Sequence, residues 1–215
     1  MMHRMPADRR LSTLVARGAP FDAALRALAH QLATFDARAD RSPRIDEEGG
    51  AERLCARWAD SFRQVAPFHG RVLDPDQAAD IERLTLRFLG GRGPLFAARV
   101  ERGCVVDGHG DLIAEDVFCL ADGPRVLDCL EFDDRLRYLD RVDDAAFLAM
   151  DLERLGAPAQ SARFAVTSSW PRTGRRRRWC TTTSPTGPSC APRWPASGSL
   201  RASTMRQTRL GPWRG

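Results

Sequence analysis

The fold is decided by the stretch from Asp107 to Asp128, which reads DGHGDLIAEDVFCLADGPRVLD. Two aspartates in it, Asp111 and Asp116, stand five residues apart in and just after a glycine-containing loop. The apolar runs that follow flank the turn sequence Ala121-Asp122-Gly123-Pro124, which predicts a small β-hairpin. We therefore expect a loop, then a hairpin, and then a third aspartate, Asp128, where the chain has turned back on itself.

This order of carboxylates suits phosphoryl transfer to a hydroxyl group. One carboxylate orients the nucleophile and accepts its proton, and two further oxygen ligands hold Mg²⁺ on the phosphates of ATP. The hairpin would let Asp128 face the same cleft as Asp111 and Asp116. Taken singly, an aspartate in a glycine-containing loop is most often a turn residue, and Asp143-Asp144 is most often a helix cap, without a functional role. The ordered set is what favours a functional role.

Around this stretch, the first 160 residues predict a mostly helical globular unit. Apolar residues recur at spacings of three and four, which is typical of helices with one buried face. The pattern predicts one helix capped by Asp22, one over Leu54 to Val65, one from an Asp74 cap to Gly90, and one over Asp143 to Leu155. The residues expected on the buried faces are Leu25, Leu28, Leu32 and Phe35, then Leu54, Trp58, Phe62 and Val65, then Ile81, Leu84 and Phe88, then Phe147, Leu148 and Met150.

Four blocks of the sequence resemble the aminoglycoside phosphotransferase branch of the protein-kinase-like fold. They are Asp107 to Leu112, Asp128 to Phe132, Arg137 to Asp140 and Ala146 to Glu153, in that order. In that family the catalytic loop reads His-Gly-Asp with an Asn five residues beyond the Asp, and a metal-binding Asp follows a hairpin. The likeness covers roughly residues 3–157. It is greatest to family members whose longer forms continue into a P-loop ATP-binding domain.

The resemblance implies ATP and Mg²⁺ as cofactors and assigns roles to three aspartates. Asp111 would be the catalytic base, and Asp128 would bind the metal. Asp116, which stands where the family usually has Asn, would be a second metal ligand. An aspartate there offers Mg²⁺ an oxygen, but it adds a negative charge beside the phosphates and donates no amide hydrogen bond.

The other residues that the resemblance singles out would support the site or bind substrate. His109 and Asp144 would support the catalytic loop structurally. Glu131 and Arg137 would act either in substrate binding or in structure. Neither the acceptor substrate nor the residues that contact the rest of the nucleotide are assigned.

The expected fold class is therefore α+β, predominantly α: a protein-kinase-like C-terminal lobe with a small β-hairpin, its N-terminal lobe missing. That lobe would carry a glycine-rich loop and a lysine, and the 215 residues contain no lysine. The expected function is transfer of the γ-phosphoryl group of ATP to a hydroxyl of a small molecule. The alternative is an inactive, truncated remnant that acts as a binding module.

The last 55 residues differ in composition from the rest. Residues 1–160 hold 22 arginines against 28 acidic residues, whereas residues 161–215 hold 11 arginines and no acidic residue. Three interpretations of residues 161–215 remain open. The segment is a disordered tail, a stretch translated in the wrong reading frame, or a basic arm that binds nucleic acid, the last being the least favoured.

Composition also excludes several classes of protein. No apolar run approaches the length of a membrane span, and the N-terminus lacks the apolar segment of a signal peptide, so we expect a cytoplasmic protein without a membrane partner. The six cysteines form no C-x-x-C pair, which argues against a disulfide scaffold. Cys104, Cys119 and Cys129 match no zinc motif and are expected to be buried, reduced thiols.

Overall fold

The structure of the chain is a computed structural model that describes residues 5–168. Within that range the chain forms eight α-helices and four short β-strands. The helices are α1 (Leu11–Ala16), α2 (Asp22–Arg38), α3 (Pro43–Glu48), α4 (Ala51–Val65), α5 (Pro75–Gly90), α6 (Gly93–Glu101), α7 (Arg141–Arg154) and α8 (Pro158–Ser168). The strands are β1 (Val105–Asp107), β2 (Val117–Leu120), β3 (Gly123–Val126) and β4 (Tyr138–Asp140). The unit is thus mostly helical with a small β component, as the sequence predicts.

The four strands form two separate antiparallel pairs. β2 and β3 make the predicted hairpin, with Val117 opposite Val126 and Leu120 opposite Gly123. β1 pairs with β4, a strand that the sequence pattern did not predict, with Val106 opposite Leu139. The β1–β4 pair holds the two ends of the segment that contains the candidate aspartates, because β1 precedes that segment and β4 follows it, and the β2–β3 hairpin lies within it.

The main hydrophobic core lies among α1, α2, β2, α7 and α8. Its fully buried members are large aliphatic and aromatic side chains, including Leu11, Leu28, Leu112, Leu148, Leu152 and Phe164. A smaller cluster joins α3, β1 and β4 through Ile45, Val105 and Tyr138. The aspartate-bearing segment therefore lies between two packed clusters rather than on an isolated loop.

Two helix boundaries confirm the capping signals in the sequence. The Asp74 carboxylate accepts a hydrogen bond from the backbone N–H of Gln77, 2.9 Å away, and Pro75 is the first residue of α5. Gly156, at φ +90°, follows the end of α7 where the sequence predicts a stop. The Asp22 cap is wrong by one position, because Asp22 is the first residue of α2 and its side chain instead pairs with Arg163.

Several residues expected in the core are exposed. Ile81, Leu84 and Phe88 of α5 are 43%, 45% and 36% exposed, because α5 packs mainly against one neighbour, α4. Phe147 and Met150 lie on the outer face of α7, whose inner face is taken by Leu148, Leu152 and two aspartates. Exposed side chains also include Phe35, Trp58 and Val65.

The helical unit extends past the predicted boundary at residue 160. α8 continues to Ser168, and Ser161 and Phe164, both 2% exposed, pack into the core. The expectation of an irregular segment from residue 161 onward is therefore wrong for its first turns. The remainder of the basic segment, residues 169–215, lies outside the described residues.

Candidate functional site

The candidate site is the loop of residues 108–116, which connects β1 to β2. The segment after β3 runs alongside this loop and is hydrogen-bonded to it. The backbone N–H of Leu127 donates to the carbonyl of Asp116 (3.0 Å), and that of Leu130 donates to the carbonyl of His109 (3.1 Å). These two bonds bracket Asp128, so the structure brings the third predicted aspartate beside the loop that carries the first two.

Asp144 of α7 accepts hydrogen bonds from two backbone amides at the start of the loop. One carboxylate oxygen accepts from the backbone N–H of His109 at 2.7 Å, and the other accepts from the N–H of Gly110 at 2.9 Å. Asp144 is 4% exposed, so these two charge-assisted bonds replace the water it has lost. The resemblance implies that Asp144 supports the loop, and in the structure both of its oxygens accept from backbone amides of the loop.

Two glycines of the loop are required by this close approach. A Cβ on Gly108 would lie 2.7 Å from an oxygen of Asp144. Gly110 has φ +87°, and a Cβ there would lie 2.9 Å from Leu130 and 3.0 Å from the carbonyl of Leu136. Glycine at both positions therefore lets the loop lie against α7 on one side and against residues 130–136 on the other.

His109 connects the two segments that carry the aspartates. Its ring Nε2 lies 2.9 Å from the carbonyl oxygen of Leu127, and its Nδ1 accepts from the backbone N–H of Asp111 at 3.3 Å. Because a carbonyl oxygen only accepts, Nε2 is the donor in the contact with Leu127. His109 is 8% exposed, and these contacts connect the loop to the segment that carries Asp128.

Asp128 has an unusual backbone conformation. Its φ of +62° is the only positive φ of a non-glycine residue among the described residues. Aspartate enters this left-handed region at lower cost than most residues, but the conformation still persists only where the surroundings hold it. The bonds at Leu127 and Leu130 hold the chain on either side of Asp128, and the Asp128 side chain is exposed at the loop.

The electrostatics of the loop couple the three aspartates. Partial burial, followed by the negative charge of Asp128 and then that of Asp111, raises the pKa of Asp116 above its ordinary value, while His109 lowers it. The three carboxylates thus lie in one electrostatic neighbourhood, and a cation there would relieve their repulsion.

The described residues, 5–168, form no Mg²⁺ site built by protein ligands alone. No group of three or more His, Cys, Asp or Glu side chains within residues 5–168 is close enough together to hold a metal ion. Mg²⁺ on a nucleotide, however, takes one or two protein carboxylates and completes its coordination with phosphate oxygens and water. The pair Asp116 and Asp128 fits that requirement in type and number of donors.

The Arg137 side chain makes its hydrogen bonds to other parts of the protein rather than to a ligand site. Its guanidinium donates to both oxygens of Asp107, at 2.8 and 3.2 Å, and to the carbonyl of Leu130 at 2.7 Å. The bonds to Asp107 raise the pKa of Arg137. Arg137 therefore ties the end of β1 to the segment that follows Asp128. Glu131, the other residue left open between binding and structure, is exposed.

Sequence reasoning missed a second aspartate under the loop. Asp151, 3% exposed, accepts a hydrogen bond from the backbone N–H of Ala114 at 2.9 Å and pairs with Arg154. It follows Asp144 by seven residues, which is two helical turns, so both carboxylates lie on one face of α7. The spacing of seven residues could have predicted that Asp151 lies on the same face of α7 as Asp144. Through these two carboxylates, α7 accepts hydrogen bonds from both ends of the loop.

A buried aspartate of α2, Asp36, was also missed. It is 8% exposed, and burial, with the nearby charge of Asp144, raises its pKa to about 7. Asp36 occupies the inward position of the last turns of α2, where the sequence pattern placed Phe35. An acid that keeps its proton near neutral pH therefore lies close to the carboxylate that holds the loop.

The thiols follow the prediction in part. Cys104 and Cys119 are buried, and burial raises the pKa of Cys119. Cys129 is exposed, because it follows Asp128 on the outward side of the turn. No disulfide links the cysteines of residues 5–168.

Comparison with known proteins finds relatives without an assigned activity. Over 156 residues the chain is 46% identical to uncharacterised proteins of Mycobacterium tuberculosis and Mycobacterium bovis. The aligned part is 73% of this chain and 31% of each relative, so the chain spans about a third of the length of the curated relatives it matches. No protein-family model matches the chain, and no solved structure is significantly similar to it.

The eight helices of the described residues give no candidate for a membrane span. None of those within residues 5–168 is both long and apolar enough to cross a bilayer.

Proposed function

We propose that residues 5–168 form the C-terminal lobe of a protein-kinase-like phosphotransferase similar to the aminoglycoside phosphotransferases. The reaction is transfer of the γ-phosphoryl group of ATP to a hydroxyl of a small molecule. The observation that supports it best is the bridge made by His109, which joins the segment of Asp111 to the segment of Asp128 through its two ring nitrogens. A loop that only turns the chain has no need for such a bridge.

In this proposal the three aspartates divide the chemistry among them. Asp111 orients the acceptor hydroxyl and takes its proton as the oxygen bonds to the γ-phosphorus, and the bond from that phosphorus to the β-phosphate oxygen breaks to release ADP. Asp116 and Asp128 hold Mg²⁺, which supplies positive charge to the phosphate oxygens when it is bound with ATP. Asp144 and Asp151 position the loop through backbone amides and do not touch the substrate.

A second candidate is a binding module that keeps the loop and its supports but has no turnover. The observation that favours it is the aspartate at position 116, whose negative charge would add to those of Asp111 and Asp128 beside the phosphates. In either case the activity of the longer relatives is not assigned by this chain alone, because the chain spans 31% of their length.

Titration of Mg²⁺ and a non-hydrolysable ATP analogue into the purified chain, followed by calorimetry, tests the site. We expect metal-dependent binding that Asp128→Asn weakens about tenfold or more, since the variant removes a charged ligand. Asp122→Asn, which changes an exposed aspartate in the hairpin turn, is the matched control and should bind like the parent chain. Binding that is absent, or that Asp128→Asn leaves unchanged, contradicts the proposal.

Transfer of labelled phosphate from ATP to a panel of polyhydroxylated small molecules separates the two candidates. Turnover that Asp111→Asn abolishes, with binding of the analogue retained, supports the enzyme. Binding that depends on Asp128 but is accompanied by no turnover supports the binding module. Turnover that Asp111→Asn leaves unchanged would remove Asp111 from its proposed role.

A further inference from the structure

Helix α5 presents an apolar row to solvent, which we call the outer row: Ile81, Leu84 and Phe88. The spacings of three and four place these side chains on one face of the helix. The same pattern lines the contact seam of paired helices in coiled coils. Apolar residues also continue beyond the helix at the turn that precedes it, where Phe68 and Val72 are 50% and 66% exposed.

The rest of the described chain covers the outer row only at its C-terminal end. There the Phe88 ring lies 6.4 Å from that of Phe96, and the Arg92 guanidinium lies 4.0 Å above it. Ile81 and Leu84 remain 43% and 45% exposed. α5 packs mainly on α4, and Leu89 is its one buried residue. An amphipathic helix normally buries such a row, because exposed Ile, Leu and Phe side chains at helical spacing lose the free energy that burial would provide. The row therefore has the character of a contact surface.

A charged row lies beside the outer row and indicates what covers it. Asp80, Arg83 and Arg87 each precede one member of the outer row, and Asp76 continues the same spacing toward the start of the helix. Two acids are followed by two bases, and the row has no net charge. Arg87 has no ion-pair partner among residues 5–168, and Asp80 pairs with Arg83 of its own helix at 2.9 Å.

Such a row is complementary to itself when two copies run antiparallel. A two-fold axis near the middle of α5 would place Ile81 of one copy against Leu84 of the other. In antiparallel helix pairs the flanking positions on the same side face each other, so Asp80 of each copy would face Arg87 of the other. A strongly acidic or basic partner would meet like charges at one end of the row.

We propose that the outer row of α5 binds the same row of a second copy of this chain, antiparallel and about a two-fold axis. The contact surface is separate from the loop of residues 108–116, so this inference stands independently of the proposed function. Two reciprocal Asp80–Arg87 pairs set the register, and the apolar row supplies most of the contact area.

Sedimentation velocity of the full chain over a series of concentrations tests the inference. We expect a reversible monomer–dimer equilibrium in which Asp80→Arg and Arg87→Asp each weaken the association constant about tenfold. The double variant Asp80→Arg/Arg87→Asp should recover most of that loss, because the pairs are restored with their signs exchanged. Leu84→Ser should abolish the dimer.

The control is the double variant Asp60→Arg/Arg63→Asp, which reverses an exposed ion pair on the neighbouring helix α4 and should leave association unchanged. Circular dichroism of every variant checks that the helices form. A chain that stays monomeric at all concentrations overturns the inference. So does a dimer that is insensitive to the single reversals, or one that the double exchange does not restore.

Discussion

Helices α5 and α7 have similar sequences in outline but opposite roles in the fold. Each has an aspartate N-cap, apolar residues at helical spacing and a glycine at or just after its end. α7 buries six residues, two of them aspartates, whereas α5 buries Leu89 alone. The difference shows that the buried side chains of these two helices belong mainly to α7, the helix that packs against the candidate loop. The α4–α5 hairpin contributes little core of its own.

The largest expected difference in the free energy of unfolding is between alanine substitutions at two leucines, one on each helix. Leu148 of α7 is fully buried, and Leu84 of α5 is 45% exposed. Leu148→Ala should lower the free energy of unfolding by about 3–5 kcal/mol, because it removes packed methyl groups and leaves a cavity. Leu84→Ala should change it by less than about 0.5 kcal/mol when measured by urea unfolding at a concentration where the chain is monomeric. Similar losses of unfolding free energy at both positions would contradict the conclusion that α7 contributes to the core and α5 does not.

The next largest effect is expected at the carboxylate that holds the loop. Asp144→Ala leaves the backbone N–H groups of His109 and Gly110 without their acceptor, so we expect a loss of about 3 kcal/mol in urea unfolding. Amide hydrogen exchange at these two residues should also accelerate. Asp122→Ala, on the exposed turn of the hairpin, serves as the control and should cost less than about 0.5 kcal/mol. Unchanged exchange at His109 in Asp144→Ala would mean that α7 does not hold the loop.

The sequence predicted those parts of the fold that local signals specify. The Asp74 cap, the Gly156 stop and the hairpin turn at residues 121–124 all depend on near neighbours, and all three are confirmed. The outward orientation of Ile81 and Phe88 could not be predicted, because periodicity identifies an apolar face without saying whether anything covers it. The pairing of β1 with β4 is a long-range contact between strands of three residues, too short to give a pattern.

The candidate site was predictable in its acidic residues and not in the groups that hold them. Asp111, Asp116 and Asp128 stand out as an ordered set in the sequence, and Asp144 follows from the resemblance. Asp151 and Asp36 look like ordinary polar residues of amphipathic helices. Only tertiary packing reveals that they face inward, where a buried carboxylate needs a partner or a proton.

A smaller loss is expected at Asp151, which holds the far end of the loop. Asp151→Ala should cost about 2 kcal/mol, because the N–H of Ala114 loses its acceptor while Arg154, which is exposed, returns to water. Asp151→Asn keeps an acceptor oxygen of the same shape and should recover part of that loss. Arg154→Ala is the control and should cost less than about 1 kcal/mol, since the exposed partner contributes little. A larger cost for Arg154→Ala than for Asp151→Ala would assign the stabilisation to the ion pair instead.

The smallest expected change in the free energy of unfolding is at Asp36, and there the substitution should stabilise the chain rather than destabilise it. Its pKa is about 7 in the folded chain against an ordinary value of 3.8 for a solvated aspartate, so the folded state holds a proton that the unfolded state releases. The charges around it are Asp144 and Asp140, which raise the pKa, and Arg141 and Arg41, which lower it. Stability should therefore fall as the pH rises from about 4 to about 7, and the full penalty should remain above pH 7.

Asp36→Asn removes this titration while keeping the size of the side chain. The variant should be about 1 kcal/mol more stable than the parent chain at pH 8.5, and the difference should shrink or reverse at pH 5. Unfolding by urea at both pH values measures it, with Asp122→Asn on the exposed hairpin turn as the matched control that should not reproduce the effect. A parent chain whose stability does not change between pH 5 and pH 8.5 would show that Asp36 ionises without penalty. Its burial next to Asp144 would then have no electrostatic consequence for the loop.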